Sequence, residues 1–270
     1  MNIVDLDERH VPLYLACLED WSDEMREAGN HKAVWYQEMK NKGLRVKLSL
    51  DDQGTVGGMI QYGPVEHSFV EGANLDFIYC IWVHGHKQGR GDFRGRGMGS
   101  ALLEAAENDA RARGKKGIVA WGLLIPVFMR ASWFRRHGYR KVDRTGMQVL
   151  LWKPFVPDAV PPKWIPPKGA PSLESNKVTI TALCSGWCPS QSIVVERARK
   201  AAAAPEFAGK VAFREVSTLD RAEFLRWGYS DALFVDRKQV RTGPPLSYDR
   251  IHKLIEKRAK KISLPASESR

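Results

Sequence analysis

The spacing of apolar and polar positions changes several times along the chain, and each change predicts an element. Asn2 to Val4 can pair as a short strand, and from Asp5 to Trp21 the residues Tyr14, Cys17, Leu18 and Trp21 fall at helical spacing. A second helix is predicted from Asp23 to Met39, with Trp35 and Met39 on one face. Arg45 to Leu50 sets Val46, Leu48 and Leu50 against Arg45, Lys47 and Ser49, and a D-D-Q-G turn leads into T-V-G-G-M-I-Q-Y, the pattern of a β-hairpin. Asn74 to Val83, N-L-D-F-I-Y-C-I-W-V, is almost continuously apolar, as in a strand buried on both faces. A helix over Gly99 to Arg113 with Leu102, Leu103, Ala106 and Ala110 inward, a strand at Gly117 to Trp121, a helix at Phe128 to His137 and a strand at Gly146 to Trp152 complete the first part.

Lys153 to Ser175 then holds seven of the 15 prolines, which no continuous helix or central strand tolerates. It is an extended linker, or a segment strapped along a domain surface. Beyond it the order is β, α, β, α, β, β, α, ending in a helix from about Tyr248 to Lys261. The chain thus reads as an α/β (α+β) protein with a domain over residues 1–153, a proline-rich linker over 154–176, a smaller domain over 177–262 and a tail over 263–270.

Composition narrows the classes. With 43% hydrophobic and 27% charged residues among 270, disordered and coiled-coil readings fall away. No apolar run reaches the roughly 18 to 20 residues that span a bilayer. The N-terminus, M-N-I-V-D-L-D-E-R-H, is charged within five residues and has no signal-peptide core, so the expected location is cytoplasmic, with no membrane partner. The net charge of +11 divides unevenly, +3 up to Lys153 and +8 after it. Nucleic acid is not the expected partner, because the Lys253 to Lys261 run is more simply a solvated helix face. Four cysteines are too few for a disulfide scaffold, and no set with metal-ligand spacing stands out.

The richest chemistry lies where the buried strand meets its helix. Arg94, Gly95, Arg96, Gly97, Met98, Gly99 and Ser100 form a glycine-rich turn directly ahead of an amphipathic helix. Helix N-termini offer unpaired N–H groups and a positive dipole end, and glycines let an anion approach the backbone. The turn and the order of elements around it resemble the GCN5-related N-acetyltransferase family, GNAT. The family signature Gln/Arg-x-x-Gly-x-Gly/Ala is matched by Arg94, Gly97 and Gly99, with support from T-V-G-G-M at Thr55 to Met59 and from Ala131, Phe134, Gly138 and Tyr139 near the end of the first domain.

The resemblance implies a mixed sheet flanked by helices, acetyl-CoA as acyl donor and an amine-bearing acceptor that the sequence does not identify. The Arg94–Ser100 turn would hold the pyrophosphate, and Cys80, Ile81, Trp82 and Val83 the pantetheine arm. Asp76 or Tyr79 are candidates for the base, and Ser132 for the thiol acid, since Phe134 stands where many members carry a tyrosine. An apparent insertion, His86 to Gly91, either meets the 3′-phosphate, forms part of an acceptor lid or is a solvated basic loop. A non-catalytic acyl-CoA-binding or redox-sensing protein is the alternative.

The second domain resembles the thioredoxin fold as it occurs in the YoaP-like group attached to GNAT domains. Trp187-Cys188-Pro189-Ser190-Gln191 stands at the start of its first long helix, so the second cysteine of the usual pair is replaced by Gln191. The resemblance implies a reactive thiol at Cys188 with Cys184 as resolving partner, a soft-metal pair, or a scaffold whose redox role has lapsed. The usual proline opposite the thiol is missing, with Ser230 and Asp231 in its place.

Overall fold

The structure is a computed structural model and describes residues 1–125, 127–240 and 243–262. The tail expected at 263–270 lies outside the described residues. The chain opens with β1 (Asn2–Asp5) and a short helix α1 (Val11–Leu15). The continuous helix predicted from Asp5 to Trp21 is broken, because Cys17 and Leu18 take positive φ (51° and 64°) and turn the chain. The second predicted helix is likewise split into α2 (Asp23–Arg26) and α3 (His31–Lys40), with Gly29 at φ +63° between them. The helical spacing was real in both stretches, but periodicity does not register left-handed residues.

The hairpin follows as β2 (Arg45–Leu50) and β3 (Val56–Pro64), then come β4 (Val70–Glu71), β5 (Leu75–Val83), α4 (Met98–Ala112), β6 (Gly117–Leu123), α5 (Ala131–Arg136), β7 (Arg140–Thr145), β8 (Gln148–Pro154) and β9 (Lys163–Trp164). The seven-stranded sheet runs β1-β2-β3-β5-β6-β8-β7. Only β5 and β6 pair in parallel, which requires the α4 crossover between them. Helix α4 packs on β3 and β5 with Leu102, Leu103, Ala106 and Ala110 buried, the face the spacing predicted. Strand β7 has no apolar alternation and was not predicted. The linker does not float free, since β9 pairs with β4 and the Trp164 N–H donates to Asp143.

The C-terminal part contributes β10 (Val178–Cys184), α6 (Pro189–Ala202), β11 (Val211–Ser217), α7 (Arg221–Trp227), β12 (Ala232–Val235), β13 (Lys238–Val240) and α8 (Tyr248–Ile262). Its sheet runs β11-β10-β12-β13, with β10 and β11 parallel and β12 antiparallel to β10. Helices α6 and α8 pack together over β10, burying Val195, Ala198, Ile251 and Ile255. In the Lys253–Lys261 run the basic residues Lys253, Lys257, Arg258, Lys260 and Lys261 are exposed, while Ile255 and Ala259 are buried. The compact units are residues 1–22 with 36–165, and residues 23–35 with 166–270.

Candidate active site

The parallel register of β5 with β6 lasts only from Leu75 to Ile78. At that point β5 carries an extra residue, because the neighbours Gln61 and Tyr62 of β3 pair with Cys80 and Ile78 and skip Tyr79. A bulge of this kind bends its strand and leaves main-chain groups outside the ladder. Trp121 meets the strand with its side chain, Nε1–H donating to the Tyr79 carbonyl at 2.8 Å. Strand β5 therefore runs on to Val83 with its edge toward β6 open, and Ile81, Trp82 and Val83 are half-buried where the preceding six residues are buried.

The glycine turn closes one end of this gap. Gly95 and Gly97 have φ +76° and +79°, and a Cβ on either would meet nothing within 4 Å, so the turn has an open concave side. Gly97 caps α4 without any side-chain bond, which leaves the first N–H groups of the helix to whatever binds there. Gly57 and Gly58 of β3 show why the turn sits so low on the sheet. A Cβ on Gly57 would fall 2.5 Å from the Phe93 ring and 2.8 Å from Met98 Sδ, and one on Gly58 would fall 3.0 Å from Leu102. Gly99 lies near Val83 of β5 and Trp133 of α5, so the helix N-terminus, the strand end and Trp133 converge.

Arg94 and Arg96, the basic residues expected to meet an anion, differ in availability. Arg94 makes a bidentate pair with Asp92, with Nε 3.0 Å from Oδ1 and Nη2 2.6 Å from Oδ2, and this pairing holds the Asp92 carboxyl well below the usual range. Arg96 lies over the Phe93 ring at 5.0 Å. Ser100 is hydrogen-bonded to His137 Nε2 at 2.9 Å, and His137 Nδ1 meets the Trp133 carbonyl at 2.9 Å. The backbone N–H groups are the better-placed anion donors in this turn.

The sequence candidates for acid–base work are placed elsewhere. Asp76 is fully buried at the start of β5, paired with Arg113 Nη2 and 4.0 Å from Lys115 Nζ, opposite Ile118 in the closed part of the ladder. It is a structural ion pair, because a base must reach the reacting proton. The Tyr79 hydroxyl is buried and donates to the His67 carbonyl at 3.1 Å. Ser132 faces a separate depression of about 810 Å³ lined by Leu124, Arg135, Tyr139 and Lys141, to which neither β5 nor α4 contributes. The next two residues of α5 diverge, Trp133 lying beside Gly99 at the gap and Phe134 in the core. Sequence reading missed Trp133, Trp121 and His137, whose roles depend on which face of a short helix or strand they occupy.

At the far end of β5, the segment His86–Gly91 is pinned down. His84 Nδ1 meets the Gly91 carbonyl at 2.7 Å, Trp21 Nε1–H donates to His84 Nε2 at 3.0 Å, and a Cβ on Gly89 would fall 2.1 Å from the Trp21 ring. The His86 ring centroid lies 5.8 Å from that of Trp21 and 6.4 Å from that of Trp82. The Phe128 ring lies 5.8 Å from that of Trp82. Trp82 Nε1 is buried and has no hydrogen-bond partner among the described residues. An unmet donor at the mouth of an open strand edge fits a polar group of a bound molecule.

In the C-terminal unit, Cys188 caps α6 with Pro189 following it, and Cys184 ends β10. Neither is in a disulfide. Burial, with Asp231 and Glu215 nearby, pushes the Cys184 thiol far above its ordinary range. The Asp231 carboxyl accepts from Ser185 N at 3.1 Å, Ser185 Oγ at 2.9 Å and Trp187 Nε1 at 3.0 Å. No cis peptide occurs among the described residues.

Comparison with known proteins finds similarity in the first part of the chain. Residues 14–139 match the model of the acetyltransferase (GNAT) family. No curated protein matches the chain at a significant level. Among solved structures, a GNAT family acetyltransferase from Brucella melitensis in complex with acetyl-CoA is similar at 18% identity, covering 59% of this chain and 90% of that one with a TM-score of 0.40. The ribosomal-protein-alanine N-acetyltransferase of the same organism is similar at 18% identity over 57% and 100%, TM-score 0.43. YhbS from Escherichia coli in complex with CoA is similar at 14% identity over 60% and 88%, TM-score 0.43. The stretch that contains the strand gap and its glycine turn, residues 14–139, is the part of the chain that matches the acetyltransferase (GNAT) family.

Proposed function

We propose that the chain transfers an acetyl group from acetyl-CoA to an amine, with the Arg94–Ser100 turn and the open edge of β5 as the donor site. The observation that carries this reading is the meeting of the uncapped α4 N-terminus with the β5–β6 gap beside Val83. The turn's N–H groups hold the pyrophosphate, and Ile81, Trp82 and Val83 flank the pantetheine arm. Bound there, acetyl-CoA supplies a thioester already activated for attack by a neutral amine.

No protein acid is needed for the departing thiolate, whose pKa near 8 to 9 makes it a tolerable leaving group. With Asp76 and Tyr79 engaged elsewhere, removal of the acceptor's proton falls to water. The acceptor arrives on the side of Trp82, His86 and Trp21, an aromatic wall that suits the body of an amine-bearing molecule. Among the described residues no helix is long and apolar enough to cross a membrane, and we place the activity in the cytoplasm.

For the C-terminal unit we propose a thioredoxin-like domain of the YoaP-like kind with a reactive thiol in the Cys184–Cys188 turn. Its β-α-β-α-β-β-α order and its β11-β10-β12-β13 sheet support this.

Titration with acetyl-CoA followed by thermal shift should raise the melting midpoint in proportion to RT ln(1 + [L]/Kd), and free CoA should then be released with an amine acceptor. No shift at millimolar acetyl-CoA would remove the donor site. A shift without CoA release across an amine panel would instead favour a binding protein.

A further inference from the structure

Outside the strand gap, one group of reactive side chains in the second unit is assembled from distant parts of the sequence. His31, the first residue of α3, places Nδ1 3.5 Å from Cys184 Sγ, and its Nε2 lies 2.6 Å from Glu196 Oε1 on α6. Together with Asn30, Ser217 and Leu219, these three line a pocket of about 350 Å³, a size that admits a small ligand. Gly186, at φ +88°, makes the approach possible: a Cβ there would stand 2.6 Å from the His31 carbonyl oxygen. A thiol, an imidazole within reach of it and a carboxylate on the far ring nitrogen are the three parts of an activated nucleophile.

The carboxylate of Glu196 fixes the ring. With Nε2–H donated to Glu196, Nδ1 carries the lone pair and faces the thiol. We propose that Cys184 is a base-assisted nucleophile that exchanges with small disulfides lacking negative charge, with His31 as the base and Glu196 as its positioning residue. In the step, Cys184 Sγ attacks one sulfur of the disulfide, its proton passes to His31 Nδ1, the S–S bond breaks, and the departing thiolate takes that proton. The balance is Cys184–SH + RS–SR → Cys184–S–SR + RSH, the disulfide being the species reduced.

Three observations choose this chemistry. First, the thiol is buried beside carboxyl groups that favour its protonated form, so proton transfer to His31 has to accompany attack. Second, the N–H groups following the thiol are taken. Ser185 N–H donates to Asp231 and Gly186 N–H leans toward the sulfur, which leaves no pair of donors for an acyl oxyanion, whereas disulfide exchange needs none. Third, the charged groups around the thiol are Glu196 and Arg199 from α6, Glu215 from β11, Asp231 ahead of β12 and His31 from α3. Arg199 is paired with both glutamates, so the surroundings repel anions. The reading does not depend on acetyl transfer by the first unit, and it moves the reactive thiol from Cys188, the sequence candidate, to Cys184.

The test uses the full chain with uncharged 4,4′-dithiodipyridine and dianionic 5,5′-dithiobis(2-nitrobenzoate), the modified cysteine being identified by peptide mass. Cys184 should be modified, and the uncharged reagent should react at least about tenfold faster than the dianion after scaling to free cysteine. His31→Gln should slow the uncharged reagent by about 100-fold, as loss of a general base does. Gly186→Ala keeps all three groups but crowds the His31 main chain, and it should slow the reaction as well. Modification confined to Cys188, equal scaled rates for the two reagents, or a His31→Gln variant with wild-type melting and wild-type rate would each overturn the proposal. If His31→Gln does not fold, Glu196→Gln decides: a lowered rate with an altered pH profile supports it, and an unchanged profile overturns it.

Discussion

Asp76 is a sequence candidate for the base whose surroundings in the fold are those of an ion pair. A carboxylate on the strand that leads into the active site is a natural candidate base, yet what governs Asp76 is complete burial beside Arg113, which also meets Asp109 at 2.9 Å. Tyr62 donates to the same Asp109 at 2.9 Å, so the half-buried guanidinium links β3, the buried carboxylate on β5 and the end of α4. Removing one partner of a buried pair leaves an uncompensated charge. Arg113→Met should therefore lower unfolding stability by about 3 to 5 kcal/mol, measured by denaturant titration. Asp76→Asn should weaken stability too, while leaving the pH profile of CoA release unchanged in shape. An Asp76→Asn protein that melts normally and releases no CoA would restore it as the base.

At the scale of elements, the donor site is a docking problem between a helix and a sheet. The turn that opens α4 rests on β3 only because Gly57 and Gly58 present bare backbone to Phe93, Met98 and Leu102. Gly57→Ala would force Phe93 and Met98 outward, and the turn they bracket would move with them. The expected outcome is a KM for acetyl-CoA raised by about tenfold, equivalent to about 1.4 kcal/mol of lost binding. Gly54→Ala is the control, since Gly54 has φ +80° but nothing within 4 Å of an added Cβ. It should cost about 1 kcal/mol of stability and leave KM alone.

These elements also mark how far the sequence could be read. The hairpin, the buried β5, the α4 face and the R-G-R-G-M-G turn were legible because alternation, helical spacing and glycine each carry local information. The β5 bulge at Tyr79, the Trp121 bond to it and the position of Trp133 were not, because each is decided by a neighbour in the sheet. The thiol turn was legible as far as Cys188 at the head of α6. That Cys184 meets His31, 153 residues earlier, is a fact of tertiary packing that no spacing within either segment encodes.

For the molecule as a whole, the ionisable groups with displaced pKa values set the pH range of stability. Glu27 and Asp109 are held low by Arg197 and by Tyr62 with Arg113, and exposed Asp7 is lowered to about 2 by Arg9. Carboxyls depressed in the folded state contribute stability that is present above the unfolded values near 4 and lost as pH falls through the folded ones. The exposed pairs among them add little. Asp231 has the opposite sign, its raised pKa costing stability as pH rises above 4. At the alkaline end the raised Cys184 thiol is first: its burial contributes stability fully present below about 8.5, the unfolded value, and lost as pH climbs toward the folded one. The tyrosines Tyr14, Tyr62 and Tyr139 follow with the same sign from about 10. The thermal midpoint should thus fall below about pH 4 and begin to fall again above about pH 8.5, each titrating group contributing at most about 1.4 kcal/mol per pH unit. Cys184→Ala should move the alkaline onset to about pH 10, whatever it does to the midpoint at neutral pH. An onset that stays near 8.5 in that variant would mean the thiol is not held protonated by the fold, and with it would go the reason that Cys184 needs His31.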